Sequence, residues 1–380
     1  MKFLRNLRIL IFSATFGAGH VRAAEALTES IHHICPDAEV QNLDCGEILS
    51  RLGNNLLKDL YIGMLKRTPG LWGKFYYGTA RISSKSILQR FLNNTGRKKY
   101  LKYINSWQPD LIICTYPTVA GVIARLKSKK AVDIPLAVVI TDYAVHSQWI
   151  HEGVDLYLAG SADIFNSLAA WGVDPASIKI TGIPVSPRFE RDSDRSRIRT
   201  DLGLLPNRPT CLVMGGAYGV LHDLKDLCKT LANASIQSQS IVVCGRDEEL
   251  YKSLDDIIAN ALNPIMRYGF VDNIDELMSA ADIIITKAGG LTVSEALTKR
   301  LPVVIYQPIP GQEQENAAFL EGSGAGRTAH TRVELESIVF SLIQHPDDLQ
   351  NMRKSAARAI PGHSAERAAQ HILQLVKEAP

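Results

Sequence analysis

Residues 282–316 read DIIITKAGGLTVSEALTKRLPVVIYQPIPGQEQEN, and this stretch decides the fold. It begins with the continuous apolar run 283–285, which is typical of a strand that is covered on both faces. The small residues of the KAGG turn (287–290) then lead into a helix, and a second apolar run follows at 303–306. The order strand, turn, helix, strand indicates a parallel sheet that is flanked by helices.

The KAGG turn suits a negatively charged ligand. Small residues before a helix N-terminus leave backbone N–H groups free to donate to an anion, and the helix dipole favours negative charge there. Glu295 lies about one turn into the helix, where its carboxylate can accept hydrogen bonds from two hydroxyls, as a ribose offers. The stretch therefore predicts a site for a nucleotide diphosphate that carries a polar sugar.

Length and composition fit a protein of two domains. The chain has 380 residues, 46% of them hydrophobic, which is enough for two domains with separate cores. No apolar run approaches the roughly 20 residues that a membrane-spanning helix needs. The N-terminus has basic residues before the apolar run 9–12, like a signal peptide, but a glycine-rich turn follows, so we interpret this run as a strand. The six cysteines form no Cys-x-x-Cys pair, which indicates reduced thiols in a cytoplasmic protein.

The order strand, glycine-rich turn, helix occurs first near the N-terminus, in a strand at 8–14, the turn FGAGH (16–20) and a helix at 21–33. The turn lacks the third glycine of a dinucleotide fingerprint, and the chain has no Gly-Lys-Ser/Thr of a P-loop. His20 should lie at the carboxyl edge of the sheet, where open α/β folds bind ligands and a histidine can act as a general base. The alternative is that His20 only caps or lines the helix start.

A polar cluster follows the predicted strand 136–141. Asp142, His146 and Trp149 come directly after it and should lie at the carboxyl edge of the same sheet. The alternative is that Asp142 caps the next turn while the histidine and the tryptophan pack locally.

Residues 51–102 carry the excess positive charge. They contain twelve Lys or Arg residues and one acidic residue, Asp59, whereas the whole chain has a formal charge of +3. Apolar residues recur at helical spacing in 56–65, and LWGKFYY (71–77) places aromatic side chains around a lysine. Such patterns are typical of a helix on an anionic membrane surface. The alternatives are core packing of the aromatics, or nucleic-acid binding, for which we find no recognition motif. The candidate membrane contacts are Leu71, Trp72, Lys98 and Lys99.

The second half repeats the strand–helix pattern. A strand at 211–214 precedes another glycine-rich turn, which begins with Gly215 and Gly216. The alternation in both halves predicts an α/β protein with two doubly wound parallel-sheet (Rossmann-like) domains. The expected organisation is a first domain at 1–187, a charged linker at 188–208, a donor-binding domain at 209–360, and a C-terminal helix within 361–380 that packs back on the first domain.

These motifs resemble glycosyltransferase family 28, whose GT-B fold has two such domains facing each other across a cleft. KAGGLTVSEAL (287–297) and PGQEQEN (310–316) are similar to the donor motif of the family. FGAGH, TDYAVHSQW (141–149) and TGIPV (181–185) are similar to its diacylglycerol-glycosyltransferase branch. The likeness extends over about residues 8–330.

The resemblance implies a role for each matching residue. The donor would be a UDP-hexose, with its uracil at the backbone near Phe270 and its ribose at Glu295. The diphosphate would bind at Gly215, Gly216, Gly290 and Thr292, and the hexose at Gln312 and Glu313. The catalytic residues would be His20, as the base, and Asp142, while His146 and Trp149 would line the acceptor entrance.

The implied reaction is an inverting transfer of the hexose to the hydroxyl of diacylglycerol, in glycolipid synthesis. The enzyme would be peripheral on the inner face of the cell membrane, with an anionic membrane surface and no nucleic acid as partner. No cofactor is expected, and no required metal ion, because the donor stretch lacks an Asp-x-Asp motif. Glucose, galactose and N-acetylglucosamine all remain open as the hexose.

Three alternatives remain at this point. The acceptor could be an undecaprenyl-linked peptidoglycan precursor or a soluble molecule. The chain could also be a UDP-sugar 2-epimerase, which uses the same kind of domains and donor but would not need the basic aromatic segment. The third is a membrane interaction protein that is regulated by a nucleotide sugar and has no enzyme activity.

Overall fold

The computed structural model describes residues 7–15, 18–49, 68–80, 96–215 and 224–378, which form two compact units. The first unit comprises Met1–Pro187, Pro310–Gln312 and Pro361–Pro380, and the second comprises Arg188–Ile309 and Glu313–Ile360. Each unit contains a six-stranded parallel sheet with helices between its strands. The predicted α/β class with two doubly wound sheets is confirmed.

The first unit alternates strands and helices along the chain. Its strands are β1 (Arg8–Ser13), β2 (Glu39–Asp44), β3 (Leu111–Cys114), β4 (Leu136–Val139), β5 (Leu156–Ala159) and β6 (Ile178–Ile180). Its helices are α1 (Ala18–Ile34), α2 (Cys45–Leu49), α3 (Pro69–Thr79), α4 (Arg97–Trp107), α5 (Pro117–Ser128) and α6 (Ala162–Ala170), with short 3-10 helices at Ser147–Trp149 and Pro175–Ser177. The strand order is β2-β1-β3-β4-β5-β6, and every neighbouring pair is parallel.

The inner strands of this sheet are buried on both faces, which explains why β1, β3, β4 and β5 read as apolar runs. On one face, Ile9 and Ile11 of β1 share a core with Leu27 of α1. On the other face, Phe12 of β1 packs edge to face on Tyr100 of α4, with ring centroids 5.4 Å apart. Because helices cover both faces of the sheet, a ligand can approach it at the ends of the strands.

The C-terminal helix of the chain, Ser364–Glu378, belongs to the first unit and lies against α1. Its buried residues Ala368, Ala369 and Ile372 are in the same core as β1 and α1. The Ser364 hydroxyl accepts a hydrogen bond from the Val185 backbone N–H at 3.1 Å. The last helix therefore completes the core that begins with the first strand.

The second unit has the same architecture. Its strands are β7 (Thr210–Met214), β8 (Gln239–Val243), β9 (Ile265–Tyr268), β10 (Ile283–Thr286), β11 (Val303–Tyr306) and β12 (Gly326–Ala329). Its helices are α7 (Arg195–Asp201), α8 (Leu224–Asn233), α9 (Glu248–Ser253), α10 (Asp255–Ala259), α11 (Ile274–Ala280), α12 (Gly290–Thr298), α13 (Gln312–Gly322), α14 (Arg332–Gln344) and α15 (Pro346–Ala359), and Ser364–Glu378 of the first unit is α16. The strand order is β12-β11-β10-β7-β8-β9, and all neighbours are parallel.

Residues 188–208, which we expected to form a linker, are packed within the second unit. The guanidinium of Arg195 on α7 donates to the carboxylate of Asp282 at 2.6 Å, and that of Arg353 on α15 donates to it at 2.8 Å. Burial opposes ionisation of Asp282, but the hydrogen bonds from Arg195, the Thr210 N–H and Arg353 outweigh it, so the pKa of this carboxyl is lowered. Asp282, the first residue of the stretch 282–316, therefore holds α7 of the expected linker 188–208 within the second unit.

Some sequence expectations fall outside the described residues. These are Gly216, the apolar pattern at 56–65, and the basic residues of the 51–102 segment that lie at 51–67 and 81–95. Across the ranges that the structure describes, no helix is both long and apolar enough to span a lipid bilayer.

We predict that a charge placed under α16 destabilises the first unit. Ala369→Glu buries a carboxylate with no partner at a position that is 0% exposed, and should lower the free energy of unfolding by about 3 kcal/mol or more. All four tryptophans lie in this unit, so their fluorescence in a urea titration reports on it.

Gln370→Glu is the matched control, because it adds the same charge on the exposed side of the same helix. It should change the free energy of unfolding by less than about 0.5 kcal/mol. Equal unfolding midpoints for the two variants would contradict the packing of α16 described above.

Candidate functional site

The strand order of the first unit changes direction next to β1. Strand β2 lies on one side of β1, and strands β3 to β6 lie on the other. Open α/β sheets bind ligands outside the carboxyl ends of their strands at such a point. His20, in the first turn of α1, follows β1, and Thr115 follows β3, so both lie at this edge.

Two oxygen atoms hold the ring of His20. Its Nδ1 lies 2.8 Å from the backbone carbonyl oxygen of Thr115 and 2.8 Å from the Oγ1 of Thr141. The rings of Tyr116 and Trp149 flank the imidazole, with centroids 5.2 Å and 6.5 Å away. Because a carbonyl oxygen can only accept, Nδ1 carries the hydrogen and Nε2 carries the lone pair.

Burial sets the protonation state of His20. It lowers the pKa of the imidazole, although the negative charge of Asp142 and the hydrogen bond to the Thr115 carbonyl both raise it. The ring is therefore neutral at neutral pH, which is the form that can take a proton from a substrate hydroxyl. The structure thus places His20 and Asp142 together, and their catalytic roles stay a prediction.

His146 has a contact that the sequence did not predict. Its Nε2 lies 3.3 Å from the Tyr76 carbonyl oxygen and 3.3 Å from the Thr79 Oγ1, while its Nδ1 accepts from the Gln148 N–H. The hydroxyl of Ser147 donates to the Thr79 carbonyl at 3.2 Å. His146 and Ser147 therefore contact carbonyl groups in the last turn of α3, where the Tyr76 carbonyl also accepts from the Thr79 hydroxyl.

Helix α3 exposes large apolar side chains. Leu71, Phe75 and Tyr77 are 61%, 54% and 46% exposed, and Trp72 is half-buried beside Phe75. Leu71 and Phe75 are four positions apart and lie on one face of the helix, whereas Tyr77 lies on another face.

Helix α4 carries the predicted basic contacts. Lys98 and Lys99 are exposed, whereas Tyr100 and Ile104 of the same helix are buried in the core. The helix therefore has one apolar, buried side and one basic, exposed side.

In the second unit, the strand order changes direction between β7 and β10. Gly215 directly follows β7, and the turn 287–290 directly follows β10. Helix α12 begins at Gly290, so its free N–H groups point to the carboxyl edge of the sheet, where an anion is favoured. Thr292 lies in the first turn of this helix, and Glu295 is buried one turn further on.

Asn316 forms a buried hydrogen bond to the backbone of the KAGG turn. Its side chain is 0% exposed, and its Nδ2 donates to the Ala288 carbonyl oxygen at 2.8 Å. This bond ties α13 to the turn that precedes α12 and fixes the backbone whose N–H groups face the ligand edge. The sequence offers no spacing signal for this role, because the partner is a backbone group 28 positions away.

The remaining predicted donor residues lie on loops and helix starts of the same edge. Phe270 follows β9 and is exposed, with the Arg246 guanidinium 5.3 Å from its ring centroid. Gln312 and Glu313 are the first residues of α13, and the carboxylate of Glu313 accepts from the Ile309 N–H at 3.0 Å. Their contacts with a nucleotide sugar stay predictions. Among the described residues, no group of three or more His, Cys, Asp or Glu side chains could hold a metal ion.

Comparisons with known proteins identify the family of this chain. The family model for monogalactosyldiacylglycerol (MGDG) synthase matches residues 20–185, and the model for the glycosyltransferase family 28 C-terminal domain matches residues 210–374. The processive diacylglycerol beta-glucosyltransferase of Bacillus subtilis (strain 168) is 35% identical over 373 residues, which is 97% of this chain and 95% of that protein.

Solved structures extend the likeness at the level of the fold. The crystal structure of Acinetobacter baumannii MurG matches with a TM-score of 0.66 and 16% identity, over 97% of this chain and 99% of that one. The UDP-GlcNAc 2-epimerase of Neisseria meningitidis matches with a TM-score of 0.60 and 14% identity, over 97% and 99%. The fold is thus GT-B and does not by itself choose a reaction, whereas the identity to the Bacillus protein shows the family. The chain belongs to glycosyltransferase family 28, in the branch of the monogalactosyldiacylglycerol synthases and the diacylglycerol glucosyltransferases.

Proposed function

We propose that this chain transfers glucose from UDP-glucose to the hydroxyl of diacylglycerol, with inversion at the anomeric carbon. The observation that carries the proposal is the 35% identity, over both units, to a diacylglycerol beta-glucosyltransferase. UDP-glucose is an α-glycoside, so a single in-line displacement gives a β-glucoside, in keeping with the name of that relative.

The donor binds at the carboxyl edge of the second sheet. The diphosphate lies at Gly215, Gly216 and the N-terminus of α12, where Thr292 donates to it, and the ribose hydroxyls donate to the buried Glu295. Gln312 and Glu313 hold the hexose. As UDP leaves, negative charge develops on its β-phosphate, and the helix N-terminus stabilises this charge without reorganising. For this reason the reaction needs no metal ion.

The acceptor hydroxyl is activated in the first unit. Nε2 of His20 takes the hydroxyl proton as the oxygen bonds to the anomeric carbon, and the bond from that carbon to the β-phosphate oxygen breaks with its electron pair. A positioned base of this kind is typically worth about 10² to 10⁴ in rate. The negative charge of Asp142 favours the imidazolium that forms.

The acceptor stays in the membrane because of its two acyl chains, so the transfer takes place at the bilayer surface. The exposed apolar side chains of α3 insert among the lipids, and Lys98 and Lys99 of α4 attract anionic headgroups. The enzyme is therefore peripheral on the inner face of the cell membrane. That face is in contact with the cytoplasm, where UDP-sugars are made.

The test of the activity uses radiolabelled UDP-glucose and vesicles that contain diacylglycerol, followed by lipid extraction. We expect label in the organic phase, with the same rate in the presence of EDTA. Label that stays in water as an isomerised UDP-sugar would instead identify an epimerase, and no turnover with any UDP-hexose would identify a binding protein. Loss of activity with EDTA, restored by Mg²⁺, would contradict the metal-independent mechanism.

We predict that His20→Ala lowers kcat by about tenfold or more, because the acceptor hydroxyl loses its base. The measurement is the initial rate of lipid labelling at saturating UDP-glucose, with tryptophan fluorescence as the check on folding. His33→Ala is the control, since it removes an exposed imidazole from the same helix. Near-normal turnover of the first variant would remove His20 from the base role.

We predict that charge reversal at Lys98 and Lys99 weakens binding to anionic vesicles. Each basic residue near an anionic surface is worth about 1 kcal/mol, so the double change to Glu should reduce the partition coefficient about 30-fold or more at low salt. Vesicle sedimentation measures it. The control is Lys225→Glu with Lys229→Glu, an equal change of charge at exposed positions of α8. Equal binding of the two variants would contradict a membrane role for α4.

A further inference from the structure

We propose that Thr141 is a positioning residue for His20, whose hydroxyl fixes the imidazole so that Nε2 faces the acceptor and whose oxygen stabilises the imidazolium that forms. The inference rests on the proposed role of His20 as the base. Thr141 is the first residue of the motif TDYAVHSQW, but the resemblance gives roles only to Asp142, His146 and Trp149 of that motif.

The geometry at Nδ1 is that of one donor shared by two acceptors. The Thr115 carbonyl oxygen and the Thr141 Oγ1 each lie 2.8 Å from the same nitrogen. The carbonyl alone fixes which nitrogen carries the hydrogen, but it leaves the ring free to tilt about the line from Nδ1 to the oxygen. A second oxygen from another strand end removes this freedom.

The two acceptors are themselves rigid. Thr115 follows β3 and Thr141 follows β4, and both side chains are buried. The Thr115 hydroxyl also donates to the carbonyl of His20 at 3.0 Å, so the backbone and the ring of His20 are tied to the same residue. The position of Nε2 is therefore set by two adjacent strands and not by the turn on which His20 lies.

The same contacts act on the charge that the reaction creates. When Nε2 takes the acceptor proton, the N–H at Nδ1 becomes part of a cation, and its hydrogen bonds to neutral oxygens become charge-assisted and stronger. In a Ser-His-Asp triad a carboxylate is the direct partner of the imidazole. Here the direct partners at Nδ1 are a carbonyl and a hydroxyl, while Asp142 contributes through its charge.

Among the described residues, the titratable groups that act on or contact His20 are Asp142 and Tyr116. Asp142 precedes the 3-10 helix Ser147–Trp149, and its charge raises the pKa of His20. Tyr116, at the start of α5, packs edge-on against the ring, and burial raises its pKa to about 12, so it is neutral at working pH. A shift in the titration of His20 on changing Thr141 therefore reports on the lost hydroxyl, provided that both of these groups are unchanged.

The central variant is Thr141→Val, which keeps the shape of the side chain and removes the acceptor. We expect kcat to fall about tenfold, as for the loss of a hydrogen bond to a charged group. The acid limb of the kcat/KM profile should move to lower pH, because the imidazolium is less stabilised, and KM for UDP-glucose should not change. Thr141→Ser retains the hydroxyl and should restore both kcat and the pH profile.

Thr181→Val is the matched control, because Thr181 is also buried after a strand of this sheet and its hydroxyl donates to the carbonyl of Gly182. It should leave kcat and the pH profile unchanged. If Thr141→Val does not fold, Thr141→Ala serves in its place, with tryptophan fluorescence as the check. An unchanged kcat and an unchanged acid limb in a folded Thr141 variant would overturn the inference.

A measurement without turnover separates this inference from the proposed function. In protein labelled with ¹⁵N-histidine, the ring nitrogens of His20, assigned with His20→Ala, should show hydrogen on Nδ1 and a bare Nε2. Thr141→Val should lower the pKa of this ring. That result in a protein without glucosyltransferase activity would support the positioning of His20 and overturn the proposed reaction. An active protein whose His20 titrates identically with and without the hydroxyl would overturn the positioning alone.

Discussion

The structure depends on one constraint, which is that the inner strands of both sheets are covered on both faces. Buried parallel strands need apolar side chains on each side, so residues such as Ile9 and Leu10 cannot take part in polar chemistry. The polar groups that meet a ligand are therefore expected at the strand ends, and in a doubly wound sheet the carboxyl ends next to the change of direction are the most open. His20 in the first unit, and Gly215 and the turn 287–290 in the second, follow strands next to that point.

The same constraint explains which parts of the fold could be predicted. Runs such as 283–285 and 303–306 are apolar at every position, and they are strands in the structure. Strand β12 was missed because its sequence is GRTA, which lies at the edge of the sheet and is buried only at its first and last residues. The charge of 188–208 suggested a linker, but Arg199 of that segment is buried and donates to the carbonyl oxygens of Ala280 and Leu205.

The candidate site divides in the same way. Residues that follow a strand in a recognisable turn, such as His20 and Gly290, could be singled out because the turn itself is visible in the sequence. Thr141 could not, because it is 121 positions from His20 and its role depends on the pairing of β3 with β4. Asn316 was within the quoted stretch, yet only the structure shows that its amide holds the Ala288 carbonyl. Sequence patterns thus identify ligand-facing groups better than the groups that orient them.

His146 shows how this difference changes an interpretation. The family resemblance implied that it would line the acceptor entrance. In the structure its two ring nitrogens are occupied by groups of the protein, and burial lowers its pKa, so it is neutral. His146 therefore holds the last turn of α3, the same helix that exposes Leu71 and Phe75. Any effect of His146 on a lipid acceptor would then follow from the placement of an apolar helix, while the proposed proton transfer is assigned to His20.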